Sequence, residues 1–254
     1  MVEAGAYGAA EARADLEQAG VKVQDRAWTL IEAYVQAVRE ARDYGKLTSI
    51  TAVSEVWVKH VYDSLVVVGK VPKVARAQEL LDVGTGAGFP GALISIACGQ
   101  TSVTLCDALG KRVRFLQETA TKLGLRYSAV HGRAEELAAV GSRLREGFGV
   151  AVARAVASLD VVAEWMLPFV EVGGYAVAYK GPAVEVELEN ARGVLGLLGA
   201  SLEDVIPYEL PLGMGQRTFV VMRKTAPTAA DIPRRPGEAR RRSVARTSRG
   251  GREM

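Results

Sequence analysis

"LLDVGTGAGFPG", residues Leu80 to Gly91, passes from apolar residues through one acid into four glycines within eight positions. The apolar lead-in reads as a buried strand, and "ALISIA" after Gly91 reads as the opening of a helix. Glycines between the two let the backbone take positive φ and come within contact distance of a ligand, because no Cβ fills the intervening space. A strand that ends in such a turn and continues into a helix is the ligand-binding corner of an open α/β sheet, so this stretch decides the fold class.

Working outward, apolar β-branched segments alternate with helical ones: Glu79 to Val83, Val103 to Cys106, Tyr127 to His131, Val150 to Ala153, Tyr175 to Tyr179, Val205 to Tyr208 and Thr218 to Met222. With crossover helices on both faces, these predict an α/β fold, a doubly wound and mostly parallel seven-stranded sheet. The last two strands have only "YELPLGMGQR" between them, which suits an antiparallel hairpin, with the one reversed strand at the sheet edge. Ahead of the sheet, Trp28, Ile31, Val35 and Val38 recur at helical spacing between about Gln24 and Tyr44, and "VWVKHVYDSLVVV" predicts a second helix. The expected organisation is a helical N-terminal segment over residues 1–70, a sheet domain over 71–224, and a basic, flexible tail over 225–254.

At 254 residues, 49% of them hydrophobic, the chain can bury a substantial core. No apolar run of about 18 residues occurs and no basic-then-apolar leader opens the sequence, so neither a membrane span nor a secretory signal is expected, and the expected location is the cytoplasm. Cys98 and Cys106 lie in apolar surroundings without metal-ligand spacing, and with only His60 and His131 beside them no metal site is expected. The formal net charge is +3, with +6 on residues 224–254 and −3 on the rest. The terminal stretch "IPRRPGEARRRSVARTSRGGR" has few large apolar residues to bury, and its arginines suit phosphate contacts.

Gly86 to Gly91 spells G-x-G-x-x-G, the signature of dinucleotide sites. In that signature the first glycine follows the strand at once, so that a pyrophosphate meets the next helix's N-terminus. Here the glycines begin earlier, at Gly84, and Asp82 ends the strand. A carboxylate there would repel a pyrophosphate but suit a ligand with an ammonium or sulfonium charge, such as S-adenosylmethionine. Asp107 ends the second strand, where an acid can accept hydrogen bonds from both ribose hydroxyls of either cofactor, or cap the helix begun by "ALGKRVRFL". "HGRAEEL" after the third strand could place backbone and carboxylate near an adenine edge.

"LLDVGTGAGFPG", "LCDALGKRVRFL", "HGRAEE", "ARAVASL" and "GGYAVAYKG" occur in order, preceded by "KLTSI" and "KHVYDSL". Together they resemble the bacterial ribosomal RNA small-subunit methyltransferase G family, also called the glucose-inhibited division protein B family, over roughly Lys46 to Gly237 with the tail piece "IPRRPG". The resemblance implies a Rossmann-like, S-adenosylmethionine-dependent methyltransferase with an N-terminal helical extension. It also implies an activity, methylation of N7 of a guanosine in the decoding-region loop of 16S ribosomal RNA, on the small subunit or an assembly intermediate, by a monomer. Cofactor contacts are implied at Gly84, Gly86 and Phe89 in the first loop, at Asp107, Ala108 and Leu109 after the second strand, at Ala134 and Glu135 near the adenine, and at Arg154 after the fourth strand. Phe89 could wall the pocket, and the planar fork of Arg154 could pair with a carboxylate or a phosphate. The candidates for RNA contact are Lys59, His60, Asp63 and Ser64 in "KHVYDS", Lys180 in "YKGP", Arg217, Arg234 and Arg235. No catalytic residue is assigned. Lys46 stands where the family usually has asparagine, Lys59 where arginine is frequent, and Gly149 where an aspartate commonly precedes the fourth strand. The last change removes an acid expected near the site.

His60 and Ser64 stand one helical turn apart with Asp63 near both, yet no strained nucleophile turn or oxyanion hole accompanies them. A polar helix face turned toward the cofactor mouth or RNA is the better reading than a hydrolytic triad. No Asn/Asp-Pro-Pro-aromatic loop, the mark of exocyclic-amine methylation, follows "VAVARAVAS", and neither cysteine stands where a pyrimidine-carbon nucleophile would. Guanine N7 carries an in-plane lone pair and needs no prior deprotonation, so an N7 enzyme can work by holding nucleophile, methyl and sulfur in line. Two other readings stay open: a nicotinamide-dependent reductase built on the Gly86 to Gly91 pattern, and a non-catalytic RNA-binding ribosome-assembly protein built on the basic tail.

Overall fold

The structure, a computed structural model, describes residues 7–41, 44, 47–155 and 157–241. The chain opens with α1 (Ala9–Gln18) and α2 (Asp25–Glu40), followed by one continuous rod made of α3 (Val53–Val56), a π-helical stretch (Trp57–Tyr62) and α4 (Asp63–Lys70), and then the short α5 (Pro72–Ala75). Strands and helices then alternate: β1 (Glu79–Val83), α6 (Gly91–Ala97), β2 (Ser102–Asp107), α7 (Gly110–Leu123), β3 (Ser128–His131) and α8 (Ala134–Leu137). β4 (Phe148–Arg154), α9 (Leu159–Met166), β5 (Val170–Lys180), α10 (Val184–Leu195), β6 (Ala200–Glu209), β7 (Gln216–Lys224) and α11 (Glu238–Arg241) complete it.

The sheet has the order β3-β2-β1-β4-β5-β7-β6. The winding therefore reverses between β1 and β4, the position where open α/β sheets bind ligands. The expected doubly wound, mostly parallel seven-stranded sheet is present, with one correction. β7 is antiparallel to both β5 and β6 and lies between them, so the reversed strand is not at the edge. The residues explain the exchange: β7 buries Phe219, Val220, Val221 and Met222 on both faces, whereas β6 is mostly exposed and takes the outer place.

Alternate residues of each strand feed two separate cores, as the two-residue period of a strand requires. Leu80, Leu105, Val152 and Val177 face α2, the rod, α6 and α7, while Leu81, Cys106, Ala153 and Ala178 face α9 and α10. On α2 the buried residues Trp28, Ile31, Tyr34, Val35 and Val38 fall at helical spacing and lie in the first of these cores. The N-terminal helices thus cover one face of the sheet and reach its ligand-binding end.

Gly149 lies at the start of β4, at the opposite end of the sheet from the glycine turn, and a Cβ built on it would sit 3.5 Å from Glu171 Oε1. The acid expected there would stand away from the site, beside a carboxylate that β5 already supplies. The tail also departs from expectation, because residues 225–241 pack against the domain. Arg145 donates to the carbonyl oxygens of Ala138, Thr228, Ala229 and Ile232 at 2.7–2.9 Å, and Ile232 and Ala239 join the second core. The buried Lys224 ammonium donates to Leu167 O at 3.0 Å and to Thr228 Oγ1, with Glu146 as its ion-pair partner at 3.5 Å. Hydrogen bonds to main-chain carbonyls thus join apolar contacts in holding this segment. Residues 242–254 and Lys46 lie outside the described residues. Among the described residues no helix is long and apolar enough to cross a membrane.

Candidate active site

At the C-terminal ends of β1, β2 and β4 lies a cleft of ≈ 570 Å³. Its floor is the glycine turn. Gly84 and Gly86 take φ of +71° and +61°, and the amides of Gly84 and Thr85 donate to Cys106 O at 2.9 and 3.0 Å, tying the turn to the end of β2. A Cβ built on Gly86 would find nothing within 4 Å, so bare backbone faces the open cleft there. Two other glycines of the same motif serve the core. A Cβ on Gly88 would come within 1.9 Å of Tyr34 Oη, and one on Gly91 within 2.4 Å of Leu105 Cδ2. The glycine pattern thus combines an open cleft floor with a packing requirement.

Asp82 does not face the cleft, contrary to the expectation that it would meet a cationic ligand. It is fully buried, accepting from Thr85 Oγ1 at 2.6 Å and Gly91 N at 2.8 Å, and so braces the turn from behind. Burial raises its pKa to about 6 against the lowering effect of these hydrogen bonds. Asp107, by contrast, lines the cleft. Its Oδ2 accepts from Gly86 N at 2.9 Å and Arg112 Nη1 at 3.2 Å, and its Oδ1 from Leu109 N at 2.9 Å. It fixes the turn and the start of α7 together, without a side-chain cap on that helix.

Around these two, Ala108 and Leu109 form one rim, Ala134 and Glu135 the next, and Phe89, His60 and Arg154 the opposite wall. The His60 ring lies flat on Phe89, with centroids 4.6 Å apart and planes at 8°. Its Nε2 is 2.7 Å from Thr48 Oγ1. Burial, reinforced by the Arg154 charge, lowers the His60 pKa to about 3, so the imidazole is neutral at pH 7. Arg154 Nη1 donates to Lys59 O at 3.0 Å and Asp63 Oδ2 at 2.8 Å, while Tyr208 Oη donates to Asp63 Oδ1 at 2.7 Å. The π-helical stretch presents the Lys59 carbonyl to this arginine, a use of an irregular turn common at functional sites.

Several sequence-level candidates lie elsewhere. Ser64, on α4, is fully buried within the fold. Asp63 is likewise buried and engaged by Arg154 and Tyr208, so neither is a surface for RNA. Lys180 is held by Ala157 O at 2.8 Å and Glu187 at 2.5 Å. Arg234 makes a two-pronged pair with the buried Glu164, at 2.9 Å from Nε and 2.5 Å from Nη2. Both are structural cations in this arrangement. Lys59 pairs with Glu55, Arg217 donates to Gln216 O at the start of β7, and Arg235 is exposed. Thr48, Arg112 and Arg240, which lie in quoted stretches without being singled out for the cleft, and Tyr208 and Trp165, which lie in none of the family motifs, have places in or behind it.

The cleft fits an adenosyl cofactor on structural grounds: an unobstructed backbone turn beside a carboxylate that ends the neighbouring strand. Among the described residues no His, Cys, Asp and Glu cluster could hold a metal ion. Burial raises the thiol pKa of Cys98 to about 11 and that of Cys106 to about 12, so neither is a thiolate nucleophile near neutral pH.

A family described as rRNA small subunit methyltransferase G matches residues 28–210. A protein of Leuconostoc citreum (strain KM20) named ribosomal RNA small subunit methyltransferase G is 40% identical over 234 residues, 91% of this chain and 96% of its own length. One of the same name from Limosilactobacillus fermentum (strain NBRC 3956 / LMG 18251) is 41% identical over 231 residues, 89% of this chain and 94% of its own length. Among solved structures, a branched-chain polyamine synthase mutein of Thermus thermophilus, in complex with N4-aminopropylspermidine and 5'-methylthioadenosine, superposes with a TM-score of 0.58 at 14% identity. The match covers 82% of this chain and 66% of that one, a likeness of fold alone.

Proposed function

This chain belongs to the rRNA small subunit methyltransferase G family, and from that premise we propose that its cleft binds S-adenosylmethionine. The methyl group goes to N7 of a guanosine in the decoding-region loop of 16S ribosomal RNA. The observation that carries the reading is the bare backbone of Gly86 hydrogen-bonded to the Asp107 carboxylate, at the ends of adjacent strands and facing an open cleft. Bound there, S-adenosylmethionine supplies a methyl group made electrophilic by its sulfonium.

The residues of the cleft do the rest by placement. Gly84 and Gly86 allow close approach, Asp107 offers its oxygens to ribose hydroxyls, and Ala134 and Glu135 stand at the adenine end. The stacked His60 and Phe89 form a flat wall that excludes water, and Arg154, fixed by Asp63 and Lys59 O, sets a positive charge at the mouth. A neutral His60 and two protonated cysteines suit a nucleophile that needs neither deprotonation nor covalent assistance, as guanine N7 does not. Lys59, Arg217, Arg235 and the arginines beyond Arg241 are the cations for RNA phosphates. The substrate is the small ribosomal subunit or a precursor of it, met in the cytoplasm by a monomer.

The test is to incubate the protein with methyl-labelled S-adenosylmethionine and small subunits lacking the modification, then map the label. Label on one guanosine N7 of 16S ribosomal RNA is expected. Incorporation into an exocyclic amine, a carbon or a ribose would overturn the assignment.

A further inference from the structure

One wall of the cleft comes from neither the strands nor their loops. Arg240, on α11, lines it beside Trp165 of α9, and the guanidinium carbon lies 5.0 Å from the centre of the indole ring. Three residues earlier, Gly237 N donates to Glu135 Oε1 at 3.0 Å. Glu135 is buried and belongs to the adenine end of the cleft, so its carboxylate is oriented by the C-terminal segment. Farther back, Arg234 grips Glu164, one residue before Trp165, with its backbone amide also donating to Oε1 at 3.1 Å. The segment is thus fastened at two points on either side of the cleft's edge, and its next turn supplies a cation stacked on an aromatic ring there.

We propose that residues 234–241 form a strap that completes the nucleoside end of the cofactor site, with Arg240 touching the ligand and the Glu135–Gly237 hydrogen bond positioning it. The inference rests on the reading of the cleft as an S-adenosylmethionine site. It separates two parts of the basic tail: Gly237 and Arg240 serve the cofactor, while Arg235 and the arginines beyond Arg241 serve RNA.

Calorimetric titration with S-adenosylmethionine tests it, together with hydrogen exchange at residues 237–241. Full-length protein should bind saturably, and exchange at the Gly237 amide should slow on saturation. Arg240 is exposed, so Arg240→Ala keeps the fold, and it should bind about three- to tenfold more weakly. A chain ending at Arg241 should bind as full-length protein does. Wild-type affinity in Arg240→Ala, or exchange at 237–241 indifferent to the cofactor, overturns the strap while leaving the methyltransferase reading intact. Absence of binding by full-length protein removes that reading, and the strap with it.

Discussion

Two glycines two residues apart in one turn should fail in opposite ways when each is replaced by alanine. Both have positive φ, +61° at Gly86 and +90° at Gly88, so each substitution carries a backbone cost of about 1–2 kcal/mol. At Gly86 nothing else is added, since the new Cβ enters the open cleft. At Gly88 the Cβ would sit 1.9 Å from Tyr34 Oη and 3.0 Å from Ala92 Cβ and Leu116 Cδ2. Tyr34 is fully buried, donates to Ala87 O at 2.7 Å, and packs edge-on against Phe89 and Phe115, so any movement of its ring disrupts the hydrogen bond and the aromatic packing together. Overpacking and the broken hydrogen bond bring the cost at Gly88 to about 3–6 kcal/mol. At roughly 2–4 °C per kcal/mol for a chain of this size, Gly86→Ala should lower the melting temperature by roughly 2–8 °C and Gly88→Ala by roughly 6–24 °C. Calorimetry on the folded proteins should show the converse, with S-adenosylmethionine affinity reduced at least about tenfold by Gly86→Ala, or about 1.4 kcal/mol. Equal melting temperatures for the two variants, or undiminished cofactor affinity in Gly86→Ala, would refute the division of the motif into a ligand face and a core face.

Arg154→Ala should cost about 3–5 kcal/mol in denaturant unfolding, because it leaves the buried Asp63 carboxylate without its cation; adding Asp63→Asn should recover part of the loss, and strictly additive effects would argue against the pairing. Lys180→Ala should destabilise by about 1–3 kcal/mol and leave RNA affinity unchanged, whereas a specific loss of RNA binding would return this lysine to the substrate surface. The folded pKa of His60 lies below its ordinary value of 6.5, so its contribution to stability is complete above about pH 6.5 and declines as the pH falls toward about 3. His60→Gln should therefore flatten the acid side of the stability curve, and an unchanged slope would show the ring to be protonated freely in the fold. Removing residues 242–254 deletes Arg242, Arg246, Arg249 and Arg252 and should weaken RNA binding, reducing its log–log salt slope by roughly 0.7–0.9 for each phosphate that is no longer neutralised. Superimposable salt curves would make this extension a bystander.

The strands and the glycine corner are legible in the sequence because they depend on local signals: apolar runs of strand length, and glycines where only positive φ will do. Asp107 is legible for the same reason, as an acid at a strand end. Which of the last two strands pairs with β5 is not, since a hairpin signal carries no information about its partner; the deciding fact is the burial of β7 on both faces. Lys180 and Arg234 read as free cations because their counter-charges, Glu187 on α10 and Glu164 on α9, are brought to them only by packing. Ser64 reads as part of a polar helix face because residue type alone does not show that the rod turns it into the interior. The tail reads as unable to pack because its composition offers little apolar surface, and composition is blind to an Arg145 fork that satisfies four backbone carbonyls.

Tyr34 reaches across 53 residues to the carbonyl of Ala87, and Arg240 closes the cleft from far beyond the last strand. On the ribosome these partners emerge at widely separated times. The helix that braces the glycine turn is made before the turn exists, and residues 234–241 follow only after the last strand. A nascent chain can therefore pair β1 to β4 and still lack the last wall of its site, so completion of the cleft comes after the pairing of its central strands.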